Sequence, residues 1–541
     1  MNGAQAMVEC LKAEGVTKIF GIPGVAIAPF YEALYENRQQ IEHVLVRQEQ
    51  AAGHAASGYA RITRKPAVCV TSSGPGATNL ITALATANAD SIPLIAITGQ
   101  VDSSLLGHDV FQEADMRGAT ESFVKYSYLV KNVNDIPRIF REAFHVASTG
   151  RTGPVLIDIP CDVQRMELSK AFSYPEEIRM RGYKPSVMGN GQQMTKVIAA
   201  INRAKRPLIC AGGGVILGNG EEVIRAFCEK NRIPLVSTMM GIGTVAKAHP
   251  LYFGMLGNNG KPYANKAVAN ADLLMIVGAR VADRAVPKPE KLERRLTVIH
   301  IDIDSAEIGK MLGPTIPLVG DIRHIFGALL DAQIHVDTKE WLEELEDFKH
   351  TTVDHRVFSD RLVNPMTLVQ TLSEKMDDDA VYVADVGQNQ LWSADNYVMK
   401  NGRFLTTGGM GTMGYSIPAA IGAKLAEPSR QVVAVCGDGA FQMSMFELAT
   451  IAVNKVAVKI LVLRNEYLGL VREHQEKVYE GHYSGVQLYA YPHFDKLAGA
   501  YDMAYFHSDS NDTLEEELDR FLACPKAAIM VCDIDSANNT K

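Results

Sequence analysis

Two short apolar segments near the carboxyl end of the chain, 432–436 and 458–463, place the strongest constraint on its fold. A helix-like stretch separates them, so together they read as a strand, a helix and a second strand. Such a unit is typical of an open parallel sheet, in which ligands bind beyond the carboxyl ends of the strands. The first segment ends in Gly-Asp-Gly, with Asp438 at its centre, and the second ends shortly before Asn465. We therefore expect both side chains to emerge at the same edge of one sheet.

The residue types at this edge suit a magnesium ion and a diphosphate. The Asp438 carboxylate, the Asn465 amide oxygen and a nearby backbone carbonyl form a set of hard oxygen ligands. Mg²⁺ bound in this way keeps positions for water and for phosphate oxygens. The glycines on both sides of Asp438 allow the backbone to approach a diphosphate closely. The alternative is a turn aspartate and a surface asparagine in an ordinary α/β domain.

Short apolar strands alternate with helical segments along the chain, which favours parallel sheets covered by helices on both faces. The pattern predicts the α/β class with three doubly wound parallel-sheet domains, at 1–170, 190–335 and 365–541. A segment rich in proline and charge, 173–193, is the first predicted linker, and a charged segment with helical parts, 337–365, is the second.

The predicted strands are apolar runs that end in glycine, proline or polar residues. In the first two thirds they are KIFGIPG, HVLVR, AVCVTSSGPGA, PLIAITGQ, PVLIDIP, PLICAGGG, PLVSTMMG, LLMIVGARVADR, TVIHIDID and LVGD. The first and last thirds read as similar doubly wound sheets, which is the pattern that a remote duplication would leave.

Composition limits the classes of function. The 541 residues carry a net charge of −8 and no run of lysine or arginine, which disfavours nucleic acid and acidic membranes as partners. No segment reaches the roughly 18 apolar residues that a membrane-spanning helix needs, and the amino terminus shows neither a signal core nor a transit segment. The eight cysteines are scattered without a CxxC pair, as expected for reduced thiols. We expect a cytoplasmic protein.

Several longer motifs are specific to one enzyme family. They are GIPGVAIAPFYEAL, RQEQAAGHAASGYAR, TSSGPGATNLITALATANADSIPLIAITGQ, LGHDVFQEADM, STMMGIGTVAKAHPLYFGMLGNNG, HIDIDSAEIGK and DVGQNQLW, together with the Gly-Asp-Gly unit. With them the chain resembles, over nearly its whole length, the acetohydroxyacid (acetolactate) synthase branch of the thiamine diphosphate (ThDP) enzymes. The resemblance implies a transferase that decarboxylates pyruvate and joins the remaining two-carbon unit to a second 2-keto acid, giving 2-acetolactate.

The resemblance also implies roles for residues in the first two thirds of the chain. Glu49 matches the glutamate that hydrogen-bonds the ThDP pyrimidine and favours the tautomer that takes the C2 proton. Gly24 lies in a PGV segment beside the thiazolium, where most biosynthetic members have PGG. Phe111 and Gln112 lie in a loop that reaches into a neighbouring active site, and Arg284 matches the arginine that pairs with the carboxylate of the second keto acid.

In the last third, the resemblance implies the contacts of ThDP and Mg²⁺. Asp438 and Asn465 would bind the metal through their side chains and Tyr467 through its carbonyl. Gly411 would supply a carbonyl for the pyrimidine amine, and Met413 would be the wedge between the two rings. The remaining matched positions, at the diphosphate and beside it, are Gln388, Asn389, Gly437, Gly439, Ala440, Gly469 and Leu470.

The middle third matches stretches that hold FAD in this family, where the flavin does no net redox work. The matched positions are Gly212, Gly213, Gly214, Met255, Leu256, Gly278, Arg280, Asp302 and Asp321. The resemblance therefore implies FAD as a third cofactor.

Departures from the family leave the substrate open. By the same resemblance, His474 stands where biosynthetic members carry a tryptophan that selects a larger second keto acid, and we expect the family's C-terminal arm to be absent. A glyoxylate carboligase-like activity is one alternative, although Glu49 argues against it. Another ThDP-dependent lyase or oxidase, and a silent regulatory paralogue, are the others. The resemblance implies a homodimer or homotetramer, and it allows a regulatory small subunit and a role in branched-chain amino acid biosynthesis.

Overall fold

The computed structural model describes residues 1–286, 296–313, 315–352, 358–359, 361–490 and 492–540. Within them, the strands form three six-stranded sheets. The strands, numbered in chain order, are β1 Lys18–Gly21, β2 Glu42–Leu45, β3 Ala67–Thr71, β4 Leu94–Gln100, β5 Tyr126–Leu129, β6 Val155–Pro160, β7 Pro207–Ala211, β8 Leu235–Ser237, β9 Tyr252–Met255, β10 Leu273–Val277, β11 Thr297–Asp302, β12 Thr315–Val319, β13 Val381–Ala384, β14 Arg403–Leu405, β15 Val432–Gly437, β16 Lys459–Arg464, β17 Ala504–Ser508 and β18 Ala528–Asp533.

Helices connect the strands and cover the sheets. The α-helices among the described residues are Gly3–Ala13, Ala28–Glu36, Glu49–Thr63, Pro75–Thr78, Ile81–Asp90, Met116–Thr120, Ile136–Ser148, Cys161–Arg165, Gly191–Arg203, Gly213–Leu217, Glu221–Asn231, Pro262–Asn270, Ile322–Asp331, Lys339–Thr351, Pro365–Lys375, Gln388–Asn396, Ser416–Ala426, Asp438–Ser444, Leu448–Val453, Gly469–Val478, Phe494–Ala500 and Asn511–Ala523. Short 3₁₀ turns lie at Val25–Ile27, Ser103–Leu105, Val133–Asp135, Met239–Gly241 and Met445–Glu447. No helix in the described ranges combines the length and the apolar character that crossing a membrane requires.

The order of the strands shows how the three sheets are related. The first sheet runs β2-β1-β3-β4-β6-β5, and the third runs β14-β13-β15-β16-β18-β17, which is the same order in corresponding strands. The second sheet runs β12-β11-β10-β7-β8-β9, the order of a dinucleotide-binding sheet. Neighbouring strands pair in parallel, as in β3 with β4 and β15 with β16. The predicted fold class, three doubly wound parallel α/β sheets, is confirmed.

Each sheet has a switch point between two inner strands, where the strand order reverses and a crevice opens beyond the carboxyl ends of the strands. In the first sheet this point lies between β1 and β3, in the second between β7 and β10, and in the third between β13 and β15. The segments that follow these strands carry most of the predicted site residues.

Two strands of the first two sheets, β5 and β9, were not predicted. Both lie at the edge of their sheets. Strand β5 is half exposed and reads YSYL, and β9 contains Gly254 at a φ of +83°. An edge strand covers less of the core, so its sequence shows less apolar character.

The second predicted linker, 337–365, contains a helix, as the sequence predicts, and this helix belongs to the packed core. Helix Lys339–Thr351 packs on the core of the second sheet, where buried Trp341 donates a hydrogen bond to the carbonyl of Pro207 at 3.0 Å. Residues 353–357 and 360 of this predicted linker lie outside the described residues. In the first predicted linker, Tyr174 and Tyr183 pack against the core of the first sheet.

The first and third sheets are joined by two helices rich in small residues, Glu49–Thr63 and Ser416–Ala426. A Cβ on Gly58 would lie 2.0 Å from the carbonyl oxygen of Ala419, and one on Gly422 would lie 1.8 Å from that of Ala55. Only glycine permits this approach of the two backbones. The small residues after Glu49 therefore pack against the helix at 416–426.

Candidate active site

A cavity of about 2000 Å³ opens at the carboxyl ends of the second and third sheets. Most of the predicted site residues line it. The exceptions are Gly24, Glu49, Phe111, Gln112 and Gly212. The cavity therefore contains the predicted diphosphate, metal and flavin positions, whereas the predicted proton-relay residue of the same chain lies elsewhere.

Asp438 begins the helix Asp438–Ser444 directly after β15. Its side chain is buried, and its two oxygens accept hydrogen bonds from the backbone N–H groups of Gly439 at 3.0 Å and Glu466 at 2.7 Å. Burial raises the pKa of Asp438 to about 6, against the effect of these backbone donors. A cation beside the carboxylate would offset that burial.

Asn465 follows β16 at the neighbouring strand end, as the sequence predicts. Its Oδ1 accepts a hydrogen bond from the N–H of Tyr467 at 3.1 Å, and its Nδ2 donates one to Oε1 of Gln388 at 3.1 Å. Among the described residues, no group of three or more His, Cys, Asp or Glu side chains could hold a metal ion. The oxygens at Asp438, Asn465 and Tyr467 instead fit a hard cation that keeps water and phosphate in its shell.

Gln388 and Asn389 are the first residues of a helix that begins after Gly387, whose φ is +118°. Asn389 donates hydrogen bonds from Nδ2 to the carbonyls of Asp385 at 2.9 Å and Val435 at 3.1 Å. These bonds tie the segment that follows β13 to β15 at the point where the strand order reverses. The N-terminal N–H groups of such a helix suit an anion.

Buried Glu473 lies behind Gln388. Its Oε2 accepts a hydrogen bond from Gln388 Nε2 at 3.1 Å and one from the N–H of Thr540 at 2.9 Å, and its Oε1 contacts Lys477 Nζ at 2.6 Å. Burial raises the pKa of Glu473, but hydrogen bonds from Lys477, Thr540 and Gln388 outweigh it and hold the pKa below its usual value. The group is therefore a carboxylate at neutral pH.

Gly411 and Met413 lie on a loop between β14 and helix Ser416–Ala426. Gly411 has a φ of +66°, and Met413 lines the cavity while packing against the core of the third sheet. Buried Asp385 holds the end of this loop, because its carboxylate accepts hydrogen bonds from the N–H groups of Gly414 at 3.0 Å and Ser416 at 2.7 Å.

The first sheet contributes the other support of this loop. Asp90 accepts hydrogen bonds from the N–H groups of Gly408 at 3.2 Å and Gly409 at 2.8 Å, and it forms an ion pair with Arg61 at 2.9 Å. The loop at 408–413 is therefore fixed by residues from two sheets.

The predicted flavin residues lie where the order of the second sheet reverses. A Cβ on Gly212 would be 2.2 Å from the carbonyl oxygen of Gly278, and one on Gly214 would be 2.8 Å from its Cα. These glycines let the segments after β7 and β10 touch, which leaves the crevice at the cavity floor. Burial raises the pKa of Asp302, at the end of β11, to about 6.

The remaining flavin positions surround this crevice. Met255 and Leu256 are buried at the end of β9, and Asp321 caps helix Ile322–Asp331 by accepting the N–H of Arg323 at 2.8 Å. Gly213, Gly214, Met255, Leu256, Gly278, Arg280, Asp302 and Asp321 all line the cavity, whereas Gly212 lies behind it.

Arg284 also lines the cavity. Its side chain is 81% exposed, and the Asp283 carboxylate lies 3.7 Å from it. An exposed guanidinium with one loose partner can reorient toward an incoming carboxylate.

Glu49 lies at the carboxyl edge of the first sheet, at the start of its helix and after the N-cap residue Gln48. Its Oε2 accepts a hydrogen bond from Asn79 Nδ2 at 2.9 Å, and its Oε1 would lie 3.6 Å from a Cβ on Gly76. In a single chain Glu49 is half-buried.

Gly24 and Gln112 contact the segment 72–76, which also lies beside Glu49. A Cβ on Gly24 would lie 2.4 Å from Ser72 Oγ, and one on Gly74 would lie 2.9 Å from the Cβ of Gln112. Gly24 also lines a second, open cavity of about 530 Å³. Phe111 is 86% exposed, as expected for a side chain that would reach another subunit. Glu49, Gly24 and Gln112 thus form one group, separate from the large cavity.

In the comparison with known families, the first, middle and last parts of the chain match separate domain models. Models of the thiamine pyrophosphate enzymes match three regions: the N-terminal TPP-binding domain at residues 1–119, the central domain at 194–329 and the C-terminal TPP-binding domain at 385–532. The acetolactate synthase large subunit of Corynebacterium glutamicum is 44% identical over 498 residues, which cover 90% of this chain and 79% of that protein.

Other relatives match at similar levels. A probable acetolactate synthase large subunit of Methanocaldococcus jannaschii is 41% identical, over 99% of this chain and 92% of its own length. The corresponding subunit of Lactococcus lactis is 40% identical, over 96% and 90%. The chain belongs to the acetolactate synthase large-subunit family. Its first and last sheets are therefore those of thiamine pyrophosphate-binding domains.

Three supporting residues were missed in the sequence. Asp90 and Glu473 line the large cavity and Asp385 lies beside it, and all three hold other parts of the site by hydrogen bonds to partners far away along the chain. Asp385 could have been noticed, because it follows β13 at the switch point of the third sheet. Asp90 and Glu473 lie within helices and carry no comparable local signal.

Proposed function

We propose that this chain is an acetolactate synthase that depends on ThDP and Mg²⁺. Two molecules of pyruvate would give one 2-acetolactate and one CO₂. The observation that supports this proposal most directly is that Asp438 and Asn465 follow two paired strands and line one cavity in a chain of this family. Bound ThDP would supply the electron sink for the decarboxylation.

Different residues of the chain would hold the metal, the diphosphate and the rings of the cofactor. Asp438, Asn465 and the carbonyl of Tyr467 would hold Mg²⁺, and the first turn of the helix at Gln388 would face the diphosphate. Gly411 and Met413 would fix the bend of the cofactor. Their fit is supported by the buried carboxylate at Asp438 and by the glycine-lined cavity.

Glu49 would hold a proton at the pyrimidine ring. Its Oε2 is already engaged by Asn79, which orients the carboxyl and leaves Oε1 on the side of Gly76. A fixed carboxyl of this kind lowers the entropy cost of proton transfer within a bound cofactor.

We propose that the active unit contains at least two copies of the chain, as a homodimer or homotetramer. Glu49 does not line the cavity that contains Asp438 in its own chain, so a complete site would combine the two groups from different subunits. Relatives of this chain are named large subunits, and we therefore also propose a regulatory small subunit as a partner.

FAD is proposed as a structural cofactor of the middle region. The order of the second sheet and the backbone contact of Gly212 and Gly214 with Gly278 support a dinucleotide site. Arg280 and Asp302 would lie beside it.

We further propose domain boundaries at 1–170, 190–335 and 365–541, each of which contains one sheet, with helix Lys339–Thr351 added to the second. A cytoplasmic location and a role in branched-chain amino acid biosynthesis remain proposals. All eight cysteines are unpaired, which fits a reducing compartment.

The test is to incubate the protein with pyruvate, ThDP and Mg²⁺ and to measure acetolactate, with Glu49→Gln beside the wild type. We expect acetolactate from the wild type and a loss of at least about a hundredfold in kcat for Glu49→Gln, because general acid–base groups contribute about 10²–10⁴. Glyoxylate condensation without acetolactate would refute the proposed substrate. Bound ThDP without turnover of any 2-keto acid would refute the enzymatic role.

A further inference from the structure

The side chain of Gln388 lies across one turn of the helix Gly469–Val478. Its Oε1 accepts a hydrogen bond from Asn465 Nδ2 at 3.1 Å, beside Gly469, where a Cβ would lie only 2.1 Å from the same oxygen. Its Nε2 faces Glu473, four residues after Gly469 and thus on the same side of the helix. The glycine makes room for one end of the amide, and the glutamate binds the other.

The neighbours of Gln388 permit only one orientation of its amide. Its Nε2 lies 3.1 Å from the carboxylate of Glu473 and 3.0 Å from the backbone carbonyl of Asn538. Both groups only accept hydrogen bonds, so the NH₂ must face them and Oε1 must face the opposite way. A rotated amide would set its oxygen against two acceptors in a buried place.

The orientation of Gln388 in turn determines that of Asn465. Because Oε1 of Gln388 is an acceptor, Asn465 must present its NH₂ to it. The Oδ1 of Asn465 then points to the other side, where it accepts the N–H of Tyr467 at 3.1 Å. This is the oxygen proposed as a metal ligand.

We infer that Glu473 is a positioning residue for the metal site, which acts through Gln388 to turn the amide oxygen of Asn465 toward the cation. The inference rests on the proposed Mg²⁺ site and adds to it the residue that orients the amide of Asn465. The carboxylate is itself held by Lys477 Nζ and by the N–H and hydroxyl of Thr540, so it has few ways to move.

The substitution Glu473→Gln isolates this property. The new side chain would have nearly the same size as that of Glu473, but it could present either its oxygen or its NH₂ to Gln388. Of the two acceptors, the carbonyl of Asn538 alone would then still orient the Gln388 amide. Both amides could rotate together in part of the molecules, in which the NH₂ of Asn465 would face the cation. Loss of such an orienting partner typically lowers metal affinity by about 10–100-fold.

The experiment measures Mn²⁺ binding, in the presence of ThDP, from the loss of the free-ion signal in electron paramagnetic resonance. We expect Glu473→Gln to weaken Mn²⁺ binding by at least about tenfold. The matched control is Glu476→Gln, on the same helix, whose carboxylate contacts Asn539 and Arg472 but not Gln388. The control should bind Mn²⁺ as the wild type does.

A double-mutant cycle separates orientation from general damage. In a Gln388→Ala background, Glu473→Gln should cause no further loss of Mn²⁺ affinity, because its only route to the metal has gone. Additive losses would overturn the inference. Thermal unfolding of the metal-free variants shows whether they fold. If Glu473→Gln does not fold, Gln388→Ala is tested alone, and an unchanged Mn²⁺ affinity of that variant overturns the inference.

The two levels of proposal fail differently. A wild-type protein that binds no Mn²⁺ with ThDP contradicts the metal site and with it the role of Glu473. Tight binding by the wild type and equal binding by Glu473→Gln leaves the metal site in place and refutes the positioning role alone.

Discussion

The ion pair between Asp90 and Arg61 connects the helix of Glu49 with the loop that carries Gly411. Its side chains are 0% and 8% exposed, and the two backbone N–H groups of Gly408 and Gly409 complete the hydrogen bonding of the Asp90 carboxylate. Asp90→Asn keeps an oxygen for the loop but removes the charge that faces the guanidinium. We predict that this substitution weakens ThDP binding, although Asp90 does not itself lie at a predicted cofactor contact.

The size of the effect follows from burial. Breaking one partner of a buried ion pair costs about 3–5 kcal/mol, because the other charge is left uncompensated. If half of the lower figure, about 1.5 kcal/mol, falls on the position of the loop, then ThDP affinity falls about tenfold. The remainder should appear as a lower thermal midpoint.

The assay is calorimetric titration of ThDP in the presence of Mg²⁺. The control is Glu14→Gln, which breaks the ion pair of Glu14 with Arg141 in the first sheet's layer of helices, far along the chain from the loop. We expect the control to lower stability without changing ThDP affinity. Equal ThDP affinity in Asp90→Asn and the wild type, with a lowered thermal midpoint, would show that the ion pair stabilises the fold without positioning the loop.

Two further predictions concern pH and substrate choice. Asp158 is buried among Thr98 and Gln100, and burial raises its pKa to about 7 from an ordinary value of 3.8. The folded state binds the proton of Asp158 more tightly than the unfolded state does. The contribution of this proton to the free energy of unfolding is therefore complete below about pH 4 and is lost as the pH rises from about 4 to about 7. The thermal midpoint of Asp158→Asn should therefore gain on that of the wild type as pH rises across this range, and parallel curves would contradict the shift. His474 lines the large cavity, at a position where the family resemblance implies a tryptophan in biosynthetic members. His474→Trp should raise the share of product formed from 2-ketobutyrate in competition with pyruvate, and an unchanged product ratio would exclude a role in selectivity.

The local sequence was sufficient to place a site residue where that residue follows the end of a strand. Asp438 and Asn465 could be placed at one edge because parallel strands of one sheet finish at the same side, and the structure brings both to the cavity. The glycines at 212–214 also follow a strand, but the family resemblance was needed to predict their role. The fold class followed from alternating strands and helices, whereas the edge strands β5 and β9 were missed because they cover little of the core.

The family resemblance named Glu49, but only the structure shows its position in a single chain. Its helix packs against Ser416–Ala426, its carboxyl is held by Asn79, and it does not line the cavity of Asp438. No pattern within 47–61 contains this information, because it depends on how two sheets pack against each other.

By itself, the sequence determined which strand ends carry chemistry, because backbone geometry makes the periods of strands and helices visible locally. The tertiary structure alone decided how that chemistry is held. Glu473 is an ordinary helical glutamate in the sequence, yet in the fold its carboxylate fixes the amide of Gln388 from 85 residues away. Hydrogen bonds of this kind need acceptors and donors brought together in a buried place, and burial is a property of the packed chain.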